Sequence, residues 1–242
     1  SYAARVNVEL PEIGFSLSWF RGYDPFHGYA VSGIDWSGSF PSIINTPVPY
    51  LKKTAGADFA LPLNTWILRG EMAFNFTDNY DTAMYIPHPD FSYVLGLEHD
   101  FGGVNTILQY IGKYTFDYTS LRKPVLENPS DPLAQMQYAE ALIYYESALF
   151  NRKIFYQQKQ TNHAMMLSLN KSFAYDLMNI EITGYYNLTS EEYLIRPKIT
   201  LKAADALAVA AGMSYMNGPS KSVFSYSKDV LNGLFIECKV SF

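Results

Sequence analysis

The sequence predicts an all-β fold, and more specifically an antiparallel transmembrane β-barrel. Segments of about ten residues recur in which apolar and polar side chains alternate, which is the periodicity of a β-strand with two different faces. The turns between these segments are alternately tight and long, as in barrels whose two ends differ. Aromatic residues reach 16% of the chain and charged residues only 17%, whereas about 25% of residues are charged in ordinary soluble domains.

The predicted strands of the first half follow one another in pairs. Residues 2–10 place Ala4, Val6 and Val8 on one face and Arg5, Asn7 and Glu9 on the other, as a half-buried strand requires. The turn at residues 11–14 leads to a strand at 15–23, and a long loop rich in Gly, Pro and aromatic residues follows at 24–51. The next strands are 53–61 and 65–76, hinged at Pro62, and then, after a Pro-rich loop at 77–90, the hairpin of 91–101 and 104–118 around Gly102 and Gly103.

The stretch 131–156 interrupts the alternation. Asp131 followed by Pro132 is a typical helix start, and Tyr138, Leu142 and Tyr145 recur at helical spacing. We therefore expect a helix, although a hairpin turning at 151–153 is the competing interpretation. Strands resume at 161–173, 177–188, 193–203, 206–216 and 232–242, with tight connections at 174–176 and 204–205 and a long polar connection at 217–231.

The last strand, 232–242, has one apolar and one polar face and ends on Phe242. Such a strand is stable in lipid only within a closed barrel, because every backbone N–H and C=O must then be paired inside the protein. Its end resembles bacterial outer-membrane proteins, whose final strand commonly ends in Phe, and the resemblance implies recognition by the barrel-assembly machinery. The alternative is the edge strand of a soluble sandwich.

The order of turns predicts which end of the barrel each one occupies. Both termini of an outer-membrane barrel lie in the periplasm, where turns are short, and the longer loops are extracellular. Counting back from Phe242, each tight turn identified above falls on the periplasmic side. The count gives about eleven strands with a helix at 131–156, or about thirteen with a hairpin, whereas bacterial barrels have an even number. We therefore expect one outer-membrane barrel domain over 1–242 that lacks N-terminal strand(s), with about 12–16 strands when complete.

Three stretches are similar to a family of uncharacterised proteobacterial outer-membrane barrels: GADFALPLNTWILRGEMAF at 56–74, FSYVLGLEHDFGGVNTILQYIGKY at 91–114 and YLIRPKITLKAADALAVAAGMSYMNGP at 193–219. The resemblance implies a porin-like barrel of a Gram-negative outer membrane, with a longer N-terminus than this chain has. It also implies membrane lipid and lipopolysaccharide as surroundings, and a place beside an export complex for lipids or hydrophobic molecules. It assigns no substrate.

Side chains on the inner wall of a barrel decide what passes through it. Seven basic and eight acidic residues fall on the predicted inner face, so strong overall ion selectivity is not expected. Three of them form a basic stripe on one strand and three an acidic region on the 91–118 hairpin. The predicted pore-lining residues are Arg5, Glu9, Asp58, Arg69, Glu71, Glu98, Asp100, Lys113, Asp117, Glu181, Arg196, Lys198, Lys202, Glu237 and Lys239.

The expected function is a channel or conduit for passive or facilitated passage of small or hydrophobic solutes. The alternative is a plugged barrel, closed by salt bridges, that acts as a structural or binding partner of an envelope or export complex. In either case the first loop, at 24–51, could fold inward as a constriction or bind a ligand, although aromatic residues in such loops equally serve internal packing or interface anchoring. Its aromatic residues, with Tyr23 just before it, are Phe26, Tyr29, Trp36, Phe40 and Tyr50.

Other classes of function lack support in the sequence. No apolar run approaches the roughly 18 residues of a transmembrane helix. A net charge of −5 gives no basic surface for nucleic acid, and a single cysteine, Cys238, permits no internal disulfide. Nucleophile, phosphate-loop and Cys/His metal motifs are missing, so we expect neither an enzyme nor a cofactor or metal.

Overall fold

A computed structural model describes residues 1–35, 37–38, 42–204 and 206–240. The fold is all-β and antiparallel, as predicted, with thirteen strands and two helices in this part of the chain. The strands are β1 Tyr2–Leu10, β2 Ile13–Tyr23, β3 Gly28–Asp35, β4 Ser42–Val48, β5 Leu51–Leu63, β6 Trp66–Thr77, β7 Asp90–Asp100, β8 Asn105–Thr115, β9 Thr161–Phe173, β10 Met178–Asn187, β11 Glu192–Ala204, β12 Leu207–Asn217 and β13 Gly233–Val240; the helices are α1 Pro132–Ile154 and α2 Val223–Leu231.

Eleven strands form one sheet in the order β1-β2-β5-β6-β7-β8-β9-β10-β11-β12-β13, and β3 and β4 form a separate hairpin. Every neighbouring pair is antiparallel. Because directions alternate along an odd number of strands, β1 and β13 run the same way. The pairings of the described residues include none between β1 and β13, so this part of the chain leaves two open edges.

The connections differ between the two ends of the large sheet. At the short-turn end, residues 11–12, 64–65, 101–104 and 174–177 join successive strands. Phe101 and Val104 exchange backbone hydrogen bonds around Gly102 and Gly103, whose φ angles of 63° and 81° favour glycine. The long-loop end carries residues 24–50, 78–89, 116–160 and 218–232, as the order of turns predicts, but also a tight connection at 188–191.

The two faces of the large sheet have opposite character. Directly paired residues of antiparallel strands point to the same side, so the registers trace each face across all eleven strands. One face, the outer face, is apolar and exposed; on β6 it carries Trp66, Leu68, Met72, Phe74 and Phe76. The other, the inner face, is richer in polar and small residues; on β6 it carries Ile67, Arg69, Glu71, Ala73 and Asn75.

The helix expected at 131–156 is present as α1. Asp131 is its N-cap and accepts a hydrogen bond from the Leu133 N–H at 2.9 Å, and Pro132 begins the first turn. No helix of the described residues is both long and apolar enough to cross a membrane.

Three details of the predicted strand pattern are wrong. The strand expected to reach residue 118 ends at Thr115. Phe116 still donates its N–H to the Pro89 carbonyl in the β7–β8 register, but proline has no N–H to return a bond, and the φ of 49° at Asp117 turns the chain away. The polar connection at 217–231 contains α2, whose N-cap is Ser222. The loop at 24–51 contains the β3–β4 hairpin. The predicted turn residue Asp205 and the terminal Ser241 and Phe242 lie outside the described residues.

Candidate functional site

The inner face lines an open cavity of about 650 Å³. Eight strands, β1, β2 and β5 to β10, contribute to its lining, so the sheet curls around this space. Its side-chain wall combines charged, amide, aromatic and aliphatic groups. The lining includes Arg5, Ser18, Thr54, Asp58, Glu71, Val94, Ile111, Lys113, Tyr156, Asn162, Ala164, Tyr185 and Asn187.

The two positively charged side chains in the cavity lining, Arg5 and Lys113, are both in ion pairs. The Arg5 guanidinium lies 2.9 Å from the Asp58 carboxylate, which also accepts a hydrogen bond from the Ser16 hydroxyl. The Lys113 ammonium lies 3.6 Å from Asp90 and donates a 2.9 Å hydrogen bond to the Phe155 carbonyl. Carboxylates of neighbouring residues therefore neutralise both of these positive charges, which the sequence pattern assigned to the inner wall.

The segment that follows α1 covers the cavity at the long-loop end. The Gln157 side chain is 1% exposed; its carbonyl accepts the His88 N–H at 2.9 Å and its amide donates to the His88 carbonyl at 2.8 Å. The Thr115 N–H donates to the Gln160 carbonyl at 2.8 Å. These bonds hold residues 155–160 against the ends of β7 and β8, and Tyr156 thereby lines the cavity.

A single asparagine joins the β3–β4 hairpin to α1. Asn151, 1% exposed, accepts the Tyr29 N–H at 2.8 Å and donates to the Tyr29 carbonyl at 2.7 Å. The Tyr29 ring packs edge-on against Phe150, with 5.6 Å between centroids, and Tyr50 packs likewise against Phe155 at 5.8 Å. The hairpin, α1 and the covering segment therefore form one connected structure.

Buried ionisable groups surround this cover. Burial acts to raise the pKa of Asp24, but the Lys52 ammonium at 2.9 Å and the Phe26 N–H outweigh it, and the pKa lies below its ordinary value. Burial, and then the Asp24 carboxylate, raise the pKa of Tyr50. Burial, and then Tyr185 and Glu192, raise the pKa of Tyr156. Both phenols are therefore neutral hydrogen-bonding groups at physiological pH.

A second buried carboxylate fixes α2. Glu192 is fully buried, accepts the Phe224 N–H at 2.7 Å and accepts a hydrogen bond from the Ser190 hydroxyl. Phe224 lies in the first turn of α2, where a negative charge complements the helix dipole. Nearby, Asn187 accepts the N–H groups of Thr189 and Ser190, which accounts for the tight connection at this end.

The predicted inner-wall residues divide into three groups. Arg5, Asp58, Glu71 and Lys113 line the cavity. Glu9, Arg69, Glu98, Asp100, Glu181, Arg196, Lys198, Lys202, Glu237 and Lys239 lie on strands outside its lining, with the inner-face alternation. Asp117 lies beyond β8, in the connection to α1, where it accepts a hydrogen bond from the Tyr80 hydroxyl.

Several charges of the second group are also paired or stacked. Arg69 lies 2.9 Å from Glu98, and Lys198 lies 3.2 Å from Glu181, its direct partner across the strands. Arg196 lies over the Phe235 ring, 5.0 Å from its centroid. The basic stripe and the acidic region of the sequence are therefore partly neutralised by neighbours on adjoining strands.

Sequence reasoning missed the polar groups that hold the cover. Asp24, Asp90, Asn151, Gln157, Asn162, Asn187 and Glu192 are all strongly buried. They lie at strand ends, in loops or on α1, where alternation carries no information. Asn151, Gln157 and Glu192 also have partners that are distant in sequence. Among the predicted loop aromatics, Tyr29 and Tyr50 pack internally, Tyr23 and Phe26 are exposed, and Trp36 and Phe40 lie outside the described residues.

The arrangement offers hydrogen bonds, charge and apolar contact to a solute, without an assembled metal centre. Within the described ranges, no group of three or more His, Cys, Asp or Glu side chains is placed to hold a metal ion. Cys238, the single cysteine, is exposed on the outer face of β13.

Replacing Asn151 by Ala should detach the β3–β4 hairpin from α1. The Tyr29 N–H and C=O lose their partners, which costs about 1–3 kcal/mol when such groups stay away from water. Hydrogen exchange of the β3 amides should accelerate accordingly. Asn45→Ala, at an exposed position of β4, is the matched control and should leave β3 protection unchanged. Equal protection in both variants would contradict the role of Asn151.

Lowering the pH should loosen the cover at His88. Burial, and then the Arg152 guanidinium, hold the pKa of His88 below its ordinary value, although Asp117 and Asp81 act in the opposite direction. As the pH falls, the His88 imidazole of the undocked state therefore takes up a proton at a higher pH than that of the docked state. Docking is strongest above a pH of about 6.5 and weakens as the pH falls below it. Protection factors of residues 155–160 measure this; the dependence should flatten in His88→Gln and persist in His27→Gln.

Comparison with known proteins adds no assignment. No protein-family model and no curated protein sequence matches this chain significantly. The functional conclusions that follow therefore rest on the apolar outer face, the cavity and its cover.

Proposed function

We propose that this chain forms an outer-membrane β-barrel through whose interior small solutes cross the membrane. The observation that carries the proposal is the continuous exposed apolar surface of the outer face. Soluble monomers rarely expose an apolar patch of more than a few hundred Å², whereas here large apolar side chains are exposed on all eleven strands of the sheet. Examples are Val6, Leu17, Leu63, Met72, Leu95, Leu108, Leu167, Ile182, Ile195, Met213 and Ile236.

Aromatic residues on the outer face support a membrane setting. They lie towards both ends of the strands, where amphipathic rings suit the interface between lipid and water. Towards the long-loop end are Tyr2, Trp19, Tyr23, Phe76, Tyr114, Tyr186 and Tyr215; towards the short-turn end are Phe15, Trp66 and Phe173. The charged residues Arg21, Lys53 and Lys171 also lie near strand ends, where a charge in a membrane barrel costs least.

The interior has the size and chemistry of a passage for small molecules. Ligand pockets usually measure about 300–1,000 Å³, and the cavity falls within that range at about 650 Å³. Towards the short-turn end the inner face stays open to solvent, as the 55% exposure of the Arg69 side chain indicates. We infer that the narrow point of the passage is the cover, where Tyr156 lines the cavity and Lys113 donates to the Phe155 carbonyl.

Barrel closure requires more than the eleven strands of the large sheet. Because β1 and β13 run in the same direction, an odd number of further strands must lie between them if every pair is to be antiparallel. An even total is the rule for bacterial barrels, and unpaired edges cannot face lipid.

The second candidate function is a plugged barrel that binds an envelope partner. The observation that favours it is the firm docking of residues 155–160, which hydrogen bonds of Gln157, Thr115 and Lys113 hold in place. In this case the hairpin, α1 and α2 at the long-loop end would carry the binding surface, since loops on rigid scaffolds commonly carry function.

Neighbouring residues of β7 test the membrane assignment. Leu95 is on the outer face and 47% exposed, whereas Val94 lines the cavity. In lipid vesicles Leu95→Lys should lower the free energy of unfolding by about 2–4 kcal/mol, the cost of a charge at mid-membrane, and Val94→Lys should cost less. In a water-soluble protein the order would reverse, because Leu95 would already face water. Denaturant unfolding of both variants decides between these settings.

Conductance separates the two candidate functions. In planar bilayers the protein should show open-channel currents, and Tyr156→Ala should raise the single-channel conductance because it removes the ring at the narrow point. Tyr226→Ala, on the exposed surface of α2, is the control and should leave conductance unchanged. If the inserted protein carries no current, either unaltered or with Tyr156→Ala, the plugged barrel would be favoured.

A further inference from the structure

We infer that the outer face binds a membrane lipid with an anionic phosphate headgroup, which Arg21 and Lys53 hold at the long-loop end of β2 and β5. The inference goes beyond the passage of solutes, because this site lies on the exterior of the sheet. It rests on the proposed membrane setting and is independent of the proposed passage.

The charges on the outer face of the large sheet have one sign. Among the described residues of the eleven strands, the Lys, Arg, Asp and Glu side chains on this face are Arg21 on β2, Lys53 on β5 and Lys171 on β9. The Asp and Glu side chains of the same strands fall on the inner face. An anion that approaches the outer face therefore meets basic groups and no carboxylate of the described strands.

Strand register places two of these basic residues side by side. Arg21 is the direct partner of Lys53 across β2 and β5, which sets their Cβ atoms about 4.5–5.5 Å apart. Lys53 also lies 2.9 Å from Asp78, in the connection after β6, but the Asp78 side chain is 66% exposed, and such a pair contributes little. Arg21 forms no ion pair among the described residues. The three side chains together keep a positive charge.

A phosphate group suits this pair of donors. The Arg guanidinium presents a planar set of N–H groups that binds phosphate oxygens in pairs, and the Lys ammonium adds a compact positive charge. A phosphate that bridges Arg21 and Lys53 also removes the repulsion between two like charges that face each other across a pair of strands.

The surface next to this pair suits an acyl chain. On the same face of β5, Lys53 is followed towards the short-turn end by two small residues, Ala55 and Ala57. Their direct partners on both neighbouring strands are large and exposed: Trp19 and Leu17 on β2, and Phe74 and Met72 on β6. Short side chains between long ones leave a shallow apolar groove along β5 that begins at the basic pair. A lipid can therefore place its phosphate at the pair and an acyl chain in the groove.

The level of the pair along the strands matches that of a lipid headgroup. Arg21 lies two residues before the end of β2, and Lys53 lies two residues after the start of β5. Aromatic residues of the outer face lie at the same end of the sheet, among them Tyr2, the direct partner of Arg21 on β1, and Phe76, the direct partner of Lys53 on β6. Such rings occupy the interface between lipid and water, where phosphate headgroups also lie.

Trp19 reports on lipid contact at this site, because it lies two residues from Arg21 on the same face of β2 and flanks the groove. Trp36→Phe and Trp66→Phe leave it as the single tryptophan of the chain. In phosphatidylcholine vesicles, phosphatidic acid with brominated acyl chains should quench the Trp19 fluorescence more strongly than brominated phosphatidylcholine does at the same mole fraction. Equal quenching by the two lipids would overturn the inference.

Removing either basic group should weaken the preference for phosphatidic acid. In the same background, Arg21→Gln or Lys53→Gln should lower the relative affinity for this lipid by roughly fivefold, the effect of one basic residue near a membrane surface, whereas Arg21→Lys should retain most of the preference. Lys171→Gln removes the same charge at the short-turn end, where Lys171 lies over the Phe173 ring, and should leave the preference unchanged. A full preference in both Gln variants of the pair would overturn the inference.

Two comparisons separate the lipid from a free anion and this site from the passage. Inorganic phosphate should leave the preference as it is in sodium chloride of equal ionic strength; loss of the preference in phosphate alone would overturn the lipid assignment in favour of a free anion. Absence of quenching by either lipid would reject the proposed membrane setting and the lipid site with it. A protein that prefers phosphatidic acid but carries no current in planar bilayers would support the lipid site and reject the passage alone.

Discussion

Backbone pairing between strands that are neighbours in sequence is the constraint on which the rest of this structure depends. Each strand of the large sheet pairs antiparallel with the adjacent strand along the chain, apart from the excursion of β3 and β4. Because the side-chain period is two, a register shift of one residue would exchange the two faces of a strand. The pairing therefore keeps apolar residues on the outer face and polar residues on the inner face across the whole sheet.

The cover at the long-loop end depends on a different interaction, the satisfaction of buried polar groups. Asn151, Gln157 and Glu192 are almost completely removed from water, and each is hydrogen-bonded to backbone groups of another segment. Removing one partner from such a bond costs more than the bond contributes, because the other group stays buried and unpaired. These three residues thereby fix the positions of the hairpin, the covering segment and α2.

The large sheet and the cover contribute differently to the proposed passage of solutes. The sheet gives an apolar exterior and a cavity large enough for a small solute, whereas the cover narrows one end of that cavity. Seven of the fourteen predicted inner-wall charges that lie on strands are in ion pairs, so in the proposed passage selectivity would depend on the other seven. Among the described residues that line the cavity, Glu71 is a charged side chain without an ion-pair partner.

The sequence by itself determined the antiparallel strand pattern, the order of short and long connections, and α1, because alternation, turn residues and the Asp131-Pro132 helix start are local signals. It also placed Arg5, Asp58, Glu71 and Lys113 together on the inner face, since that assignment needs only the parity of each strand. Only the tertiary structure decided which charges are paired, how residues 155–160 cover the cavity, and that Asn151, Gln157 and Glu192 are buried. Those features depend on contacts between segments that are distant along the chain, such as Tyr29 with Asn151. The local alternation of apolar and polar residues does not predict such contacts.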